Sequence, residues 1–340
     1  CAEIMTLTDQ LNRPFRDLRI SVTDRCNFRC SYCMPADVFG EAYRFLPKDE
    51  LLTFEEIARL ARVFAGLGAR KVRLTGGEPL IRKELDKLVA LIAAIPGLDD
   101  IALTTNGYFL PQQAQALRDA GLRRVTVSLD SLDNTVFRAL NGGRADVGQV
   151  LAGIEAAERA GFAPIKINAV IKRGVNDGSV IDLARFCRER GYIARFIEYM
   201  DVGNLNGWRL DDVVPAREIV EMIDAQMPLE PVAPRYSGEV ARRYRYRDGS
   251  GEIGVIASVT QPFCGACTRL RLSPDGRMFT CLFGTHGTDL RAPLREGASD
   301  EELVAIVRNV WSRRDDRYSE VRASQTSPRD PKIEMYQIGG

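Results

Sequence analysis

Cys26, Cys30 and Cys33 stand within eight residues, in the stretch CNFRCSYC, and a second trio, Cys264, Cys267 and Cys281, lies in CGACTRLRLSPDGRMFTC. A thiolate is a metal ligand, and three on one short loop can reach a single metal centre. Zinc knuckles usually pair Cys-x2-Cys units, so the Cys-x3-Cys-x2-Cys spacing of the first trio leans toward an iron–sulfur cluster. A cubane cluster has room for four protein ligands, and a trio leaves one iron open to a bound molecule. In the second trio an SPDG turn brings Cys281 back toward the Cys-x2-Cys pair. His286, the one histidine of the chain, lies five residues beyond Cys281. A Cys3His zinc site is therefore an alternative there. Cys1 and Cys187 stand apart; Cys187, in LARFCRER, falls on a helix pattern and reads as a buried structural thiol.

The elements that must carry these groups alternate. Between about residues 16 and 200, short β-branched runs (LRISV, KVRLT, IALTT, RVTVSL, IKINAVI, IARFIEY) alternate with helix-period stretches. Thr53 with Glu56 reads as a capping box, and Gly68, Gly121, Gly161 and Gly191 fall where helices should end. Six strands alternating with helices mean a parallel α/β architecture. No GxGxxG follows the first strand, which favours a barrel-like curl over a dinucleotide-binding sheet. In such folds chemistry gathers at the C-terminal ends of the strands. Cys26, TGGE, TTNG, SLDS and EYMD all lie there. After about residue 210 the alternation stops. A helix, a hairpin over YRYRDGSGEIGVI, the second trio, a late helix and an irregular arm from residue 313 are expected.

The 47 Lys and Arg nearly cancel the 46 Asp and Glu among 340 residues, so nothing favours nucleic-acid or membrane-surface binding. The basic residues are mostly Arg, whose fork suits a small phosphate- or carboxylate-bearing substrate. No run of 18 apolar residues appears, and the N-terminal stretch has no leader pattern. A cytoplasmic setting is expected, without a membrane or nucleic-acid partner.

The motifs LRISVTDRCNFRCSYCMP, VRLTGGEPLIR, TTNG, VSLDSLD, CGACTRLRLSPDGRMFTCLFG and a terminal GG resemble those of radical S-adenosylmethionine enzymes, and among them the GTP 3′,8-cyclase family of molybdenum cofactor biosynthesis. The likeness runs from about residue 13 to 340. It implies a partial six-stranded (β/α) barrel, residues 1–210, with a C-terminal cluster- and substrate-binding region, residues 211–340. It also implies two [4Fe–4S] clusters, one on each cysteine trio, with S-adenosylmethionine on the open iron of the first and the guanine of GTP at the open iron of the second. One electron would cleave S-adenosylmethionine. The radical formed would remove the 3′ hydrogen of GTP, and the ribose would then join carbon 8 of the base.

The same resemblance places Tyr32, Gly76, Gly77, Ser128 and Met200 at S-adenosylmethionine, with Gly77 at its methionyl amino group. It places Arg19, Arg73, Thr104, Lys166, Arg269 and Arg271 at GTP, with Arg19, Arg269 and Arg271 also serving catalysis. Gly339 and Gly340 would form a tail reaching into the active site. A homodimer, an unidentified electron donor and a downstream pyranopterin-forming enzyme are the implied partners. A radical peptide-modifying enzyme and a zinc-stabilised binding module are the alternatives.

Overall fold

Each of the six expected strands forms. The computed structural model describes residues 7–322 and 331–339. In chain order it holds β1 (Asp17–Ser21), α1 (Phe54–Gly66), β2 (Lys71–Thr75), α2 (Leu85–Ala93), β3 (Asp100–Thr105), α3 (Leu110–Asp119), β4 (Arg124–Ser128), α4 (Asn134–Leu140), α5 (Val147–Arg159), β5 (Lys166–Ile171), α6 (Val180–Glu189) and β6 (Ile193–Glu198). There follow α7 (Ala216–Asp224), β7 (Leu229–Val232), β8 (Arg242–Tyr246), β9 (Glu252–Ile256), β10 (Arg269–Leu272), β11 (Arg277–Phe279), β12 (Thr288–Asp289), α8 (Arg291–Arg295), α9 (Asp300–Ser312), α10 (Tyr318–Val321) and α11 (Met335–Ile338).

Local chemistry explains the repeating unit. The Thr53 side chain accepts from the Glu56 N–H at 3.1 Å, and the Glu56 carboxylate accepts from the Thr53 N–H at 2.8 Å. Two otherwise orphaned donors at the start of α1 are thus satisfied. Ile57, Leu60, Ala61 and Phe64 then recur at helical spacing and bury one face. Each full-size apolar side chain so buried contributes roughly 1.5–3 kcal/mol. Gly68, at φ 116°, turns the chain into β2 in a conformation that L residues rarely adopt. Phe15 packs on Phe64 and Trp311, with ring centroids 5.8 and 5.2 Å away, which ties the N-terminal segment and α9 to the same core.

The sheet runs β12-β11-β10-β1-β2-β3-β4-β5-β6-β9-β8-β7. Strands β1 to β6 are parallel neighbours in sequence order, which the helical crossovers require. The two ends are not paired with each other, so the barrel is partial. The C-terminal region does more than cap it: β10 lies parallel beside β1 and β9 parallel beside β6. The expected hairpin is β8–β9, and the SPDG turn joins β10 to β11. Sequence patterning missed α4, which starts where the Asp133 carboxylate accepts from the Val136 N–H at 2.9 Å. Within the arm read as irregular, α10 and α11 form short helices. Cys1 and Gly340 lie outside the described residues.

Candidate active site

The first trio sits on the loop that leaves β1 at the C-terminal rim. That loop is stitched to the glycine turn after β2: Gly77 N–H donates to Thr23 O and Glu78 N–H to Arg25 O, both at 2.8 Å. A Cβ on Gly77 would lie 2.3 Å from Arg25 O, and one on Gly76 2.6 Å from Thr23 O, so only glycine allows this approach. Cys30 O accepts from Cys33 N–H at 2.9 Å and Met34 N–H at 2.8 Å, which curls the last two cysteines together. Arg29 donates to Phe39 O and Cys26 O at 2.6 and 2.7 Å and pins the loop from behind.

Burial, followed by the charge of Glu78, pushes the Cys26 thiol up to about 12. Burial and neighbouring negative charge push Cys30 and Cys33 up as well. Thiolates in such a place need a bound cation, and metal coordination deprotonates a thiol outright. The donor set thus fits an iron–sulfur cluster. A cavity opens beside it and brings the cysteines together with Tyr32, Gly76, Gly77, Ser128, Thr104 and Met200. The Tyr32 hydroxyl donates to Asp130 at 2.7 Å. Burial raises buried Glu78 to about 7, although it accepts from Thr105, Asn106 and Leu80.

A second cavity abuts the first, sharing Thr104, Asn168 and Met200. Its wall is a row of like charge. Strand register sets Arg271, Arg19 and Arg73 side by side on β10, β1 and β2. The adjoining row holds Arg269, Asp17 and Lys71. Burial, then Arg271, Arg73 and Arg269, hold Arg19 well below its usual value. Burial and the other cations bring Arg271 to about 10 and Lys71 to about 8. Arg73 donates to Thr104 at 2.8 Å. Lys166 is buried opposite Thr126 on β4 and is not among the residues lining this cavity, and burial plus Arg195, Arg124, Arg73 and Lys71 lower it to about 6. So many confined cations call for a multiply charged anion.

Lys71, Arg195 and Tyr236 also line this cavity and were not singled out in the sequence. Lys71 could have been found, since it lies two residues before Arg73 and so shares its face of the strand. Tyr236, in a loop, gave no periodic signal; its hydroxyl accepts from Lys71 Nζ at 2.9 Å.

The second trio lines a third cavity with Arg269, Arg271, Arg314 and again Met200. Burial pushes the Cys267 thiol up, but Arg269 and Arg314 outweigh it and bring it down to about 6. Burial raises Cys281 to about 11. His286 is exposed and is not among the residues that line this cavity. Among the described residues no three His, Cys, Asp or Glu side chains gather round one ion position. In a cubane cluster each cysteine binds a different iron, so its ligands stand farther apart than the roughly 3.8 Å separating thiolates on a tetrahedral zinc.

The tail returns to this site. Met335 lines the first cavity, and the Tyr336 and Tyr43 hydroxyls share a hydrogen bond of 2.6 Å. Gly339 O accepts from Arg271 at 3.3 Å. Gly339 has φ 68°, and a Cβ there would lie 2.1 Å from the Thr75 side chain.

A parallel α/β arc with a cysteine trio and a glycine turn at its rim defines a class. Residues 20–187 match the family model described as the Radical SAM superfamily, and residues 192–320 the one described as Molybdenum Cofactor Synthesis C. The structure is similar to that of Streptococcus suis SuiB bound to S-adenosylmethionine, with a TM-score of 0.62 over 91% of this chain and 68% of that one. At 16% identity that likeness speaks for the fold. The chain is thus a radical S-adenosylmethionine enzyme, a class that carries a [4Fe–4S] cluster and S-adenosylmethionine.

The nearer likenesses are to proteins named GTP 3′,8-cyclase. That from Acidothermus cellulolyticus is 56% identical over 98% of this chain and 99% of the relative. Those from Xanthomonas campestris pv. campestris and Staphylococcus saprophyticus are 51% and 49% identical, each over 98% of this chain and at least 97% of the relative. The chain belongs to the GTP 3′,8-cyclase family. Among its described residues no helix is long and apolar enough to cross a membrane.

Proposed function

We propose that the chain converts GTP to 3′,8-cyclo-7,8-dihydro-GTP, the opening step of molybdenum cofactor synthesis. The observation that carries this reading is the run of three cavities meeting at Met200, with a cysteine trio at either end and a wall of cations between.

Cys26, Cys30 and Cys33 hold a [4Fe–4S] cluster, which together with S-adenosylmethionine supplies one-electron chemistry. Tyr32, Gly76, Gly77, Ser128 and Met200 enclose S-adenosylmethionine. Gly77 lets the backbone approach its amino group, and Tyr32, oriented by Asp130, faces its adenosine. Arg19, Arg73, Arg269 and Arg271, with Thr104 and the added field of Lys166, Lys71 and Arg195, bind the triphosphate. Cys264, Cys267 and Cys281 hold a second [4Fe–4S] cluster against the guanine. Fixing both molecules in one dry channel sets the 3′ hydrogen close to its acceptor and keeps water from quenching the reaction. Gly339 closes the channel beside Arg271, where Arg19, Arg269 and Arg271 also serve the cyclisation, and the family resemblance gives Gly340 a part in the same step.

In this division residues 1–210 supply the radical source and residues 211–340 the second cluster and half of the substrate wall. The enzyme works as a cytoplasmic homodimer, takes its electron from a separate donor and passes its product to a pyranopterin-forming enzyme. The test is anaerobic incubation with S-adenosylmethionine, reductant and 3′-deuterated GTP. Deuterium should enter the 5′-deoxyadenosine released. Its absence there sinks the reading.

A further inference from the structure

Arg314 is buried beside the second trio and has no part in the assignments above. Its side chain is 1% exposed. Nη2 donates to Cys267 Sγ at 3.2 Å, and Nη1 donates to Cys267 O at 2.8 Å and to Asp9 Oδ2 at 3.3 Å. Nε donates to Asp316 at 3.1 Å, and the guanidinium lies 4.6 Å from the centre of the Trp311 ring. Asp9 is itself fully buried and held by Arg13 Nε at 2.6 Å and by the N–H groups of Leu11 and Arg13. Arg13 in turn donates to Cys264 O at 2.9 Å and Asp316 O at 2.7 Å. Two arginines and a carboxylate, drawn from both ends of the chain, therefore brace the Cys264–Cys267 knuckle through its carbonyls and touch one of its sulfurs.

Arg269 touches the same sulfur, with Nε at 3.2 Å and Nη2 at 3.0 Å. Apart from that atom its side chain meets the Phe263 ring, 4.9 Å away, and it lines the cation-walled cavity. A fork held chiefly at one atom can turn to an incoming anion. A fork held at five points stays.

We propose that Arg314 is the fixed hydrogen-bond donor to the Cys267 ligand of the second cluster, kept in place by Asp9 and Arg13, while Arg269 leaves that sulfur for the substrate's phosphates. This rests on the reading of the second trio as a cluster site. Arg314 is a positioning residue: it aims Cys267 Sγ and stabilises negative charge on it. A cationic donor to a cluster sulfur favours the reduced state, so its removal makes the cluster harder to reduce.

The test is a redox titration followed by electron paramagnetic resonance on the anaerobically reconstituted full chain, as wild type, Arg314→Lys and Arg314→Gln, with iron counted in each. S-adenosylmethionine is added to mark the first cluster's signal. Wild type should hold about eight irons. In both variants the second cluster's midpoint should move to more negative potential, further in Arg314→Gln, with the first cluster's midpoint unmoved. Loss of the second cluster from both variants at an unchanged unfolding temperature is the same dependence in stronger form. Loss accompanied by a lowered unfolding temperature overturns the proposal in favour of a general structural role. An unshifted potential in variants that keep their iron also overturns it. About four irons in wild type overturns instead the cluster reading beneath it.

Discussion

Arg19→Met removes the middle charge from the row Arg271, Arg19, Arg73 while keeping a side chain of similar length. Neighbouring strands lie about 4.8 Å apart, so in-register guanidinium groups stand roughly 5 Å from one another. At an effective dielectric constant of about 20, each such like pair costs roughly 3 kcal/mol. Arg19 has two of these neighbours, and Asp17 on its own strand offsets part of the repulsion. Allowing for relaxation, the ligand-free variant should gain about 2 kcal/mol of stability. Unfolding entropy scales with chain length, so that gain raises the melting temperature by roughly 3 °C. With GTP the sign reverses. A hydrogen bond to a charged group is worth about 1.5–3 kcal/mol, and its loss should weaken GTP binding roughly 10- to 150-fold. Anaerobic calorimetry of the reconstituted protein, with and without GTP, reads both effects in one experiment. A variant that melts lower without ligand, or that binds GTP as tightly as wild type, refutes the claim that this row is a repulsive wall relieved by an anion.

GTP binding should also take up protons near pH 7.5. Burial and neighbouring cations hold Lys71 at about 8 and Lys166 at about 6, and the charge of a triphosphate in the cavity that Lys71 lines raises both. Calorimetry in buffers of differing ionisation enthalpy should show net uptake, reduced in Lys166→Met; net release would contradict it. In the ligand-free protein the depressed Lys166 value makes stability rise with pH from about 6 toward the unfolded value near 10.4, because the unfolded chain binds more protons across that range. Gly77→Ala drives a Cβ to 2.3 Å from Arg25 O, so the Cys26 loop should shift and about half of the iron should be lost; full iron content would show that the loop tolerates the clash. Gly339→Ala puts a Cβ on a backbone with φ 68° that L residues rarely adopt and 2.1 Å from the Thr75 side chain, and should lower cyclisation roughly tenfold with iron retained. Unchanged turnover would make the tail a passive end. Cys30→Ala should abolish 5′-deoxyadenosine formation, whereas Cys267→Ala should spoil cyclisation more than cleavage; equal loss of cleavage would refute that division.

Much of the barrel was legible because its signals are local. Thr53 and Glu56 are three residues apart, the strands are continuous β-branched runs, and each cysteine trio is compact in the chain or closed by a tight turn. Arg269 and Arg271 share a face by strand alternation alone. The rest depends on pairing between distant segments. Nothing in RLRL says that it will lie parallel to LRISV some 250 residues away, so the three-arginine row exists only once that pairing is known. Arg195 and Tyr236 enter the cavity by the same non-local route. Arg314 lies at the start of a stretch whose polarity reads as solvated, yet it is buried among Asp9, Trp311 and Cys267. His286, five residues past Cys281, reads more readily as an ordinary loop histidine than as a ligand, and its side chain is exposed.

The seam between β1 and β10 also orders events in the making of the molecule. Pairing of β1 with β2 is enough to set Arg19 beside Arg73, whereas Arg271 lies roughly 200 residues further along the chain. Until β10 docks, the growing chain holds the loop of the first cysteine trio but neither the second trio nor the completed charge row. By completing the charge row from the late strand, the fold makes any anion site along that row depend on the protein's having been finished.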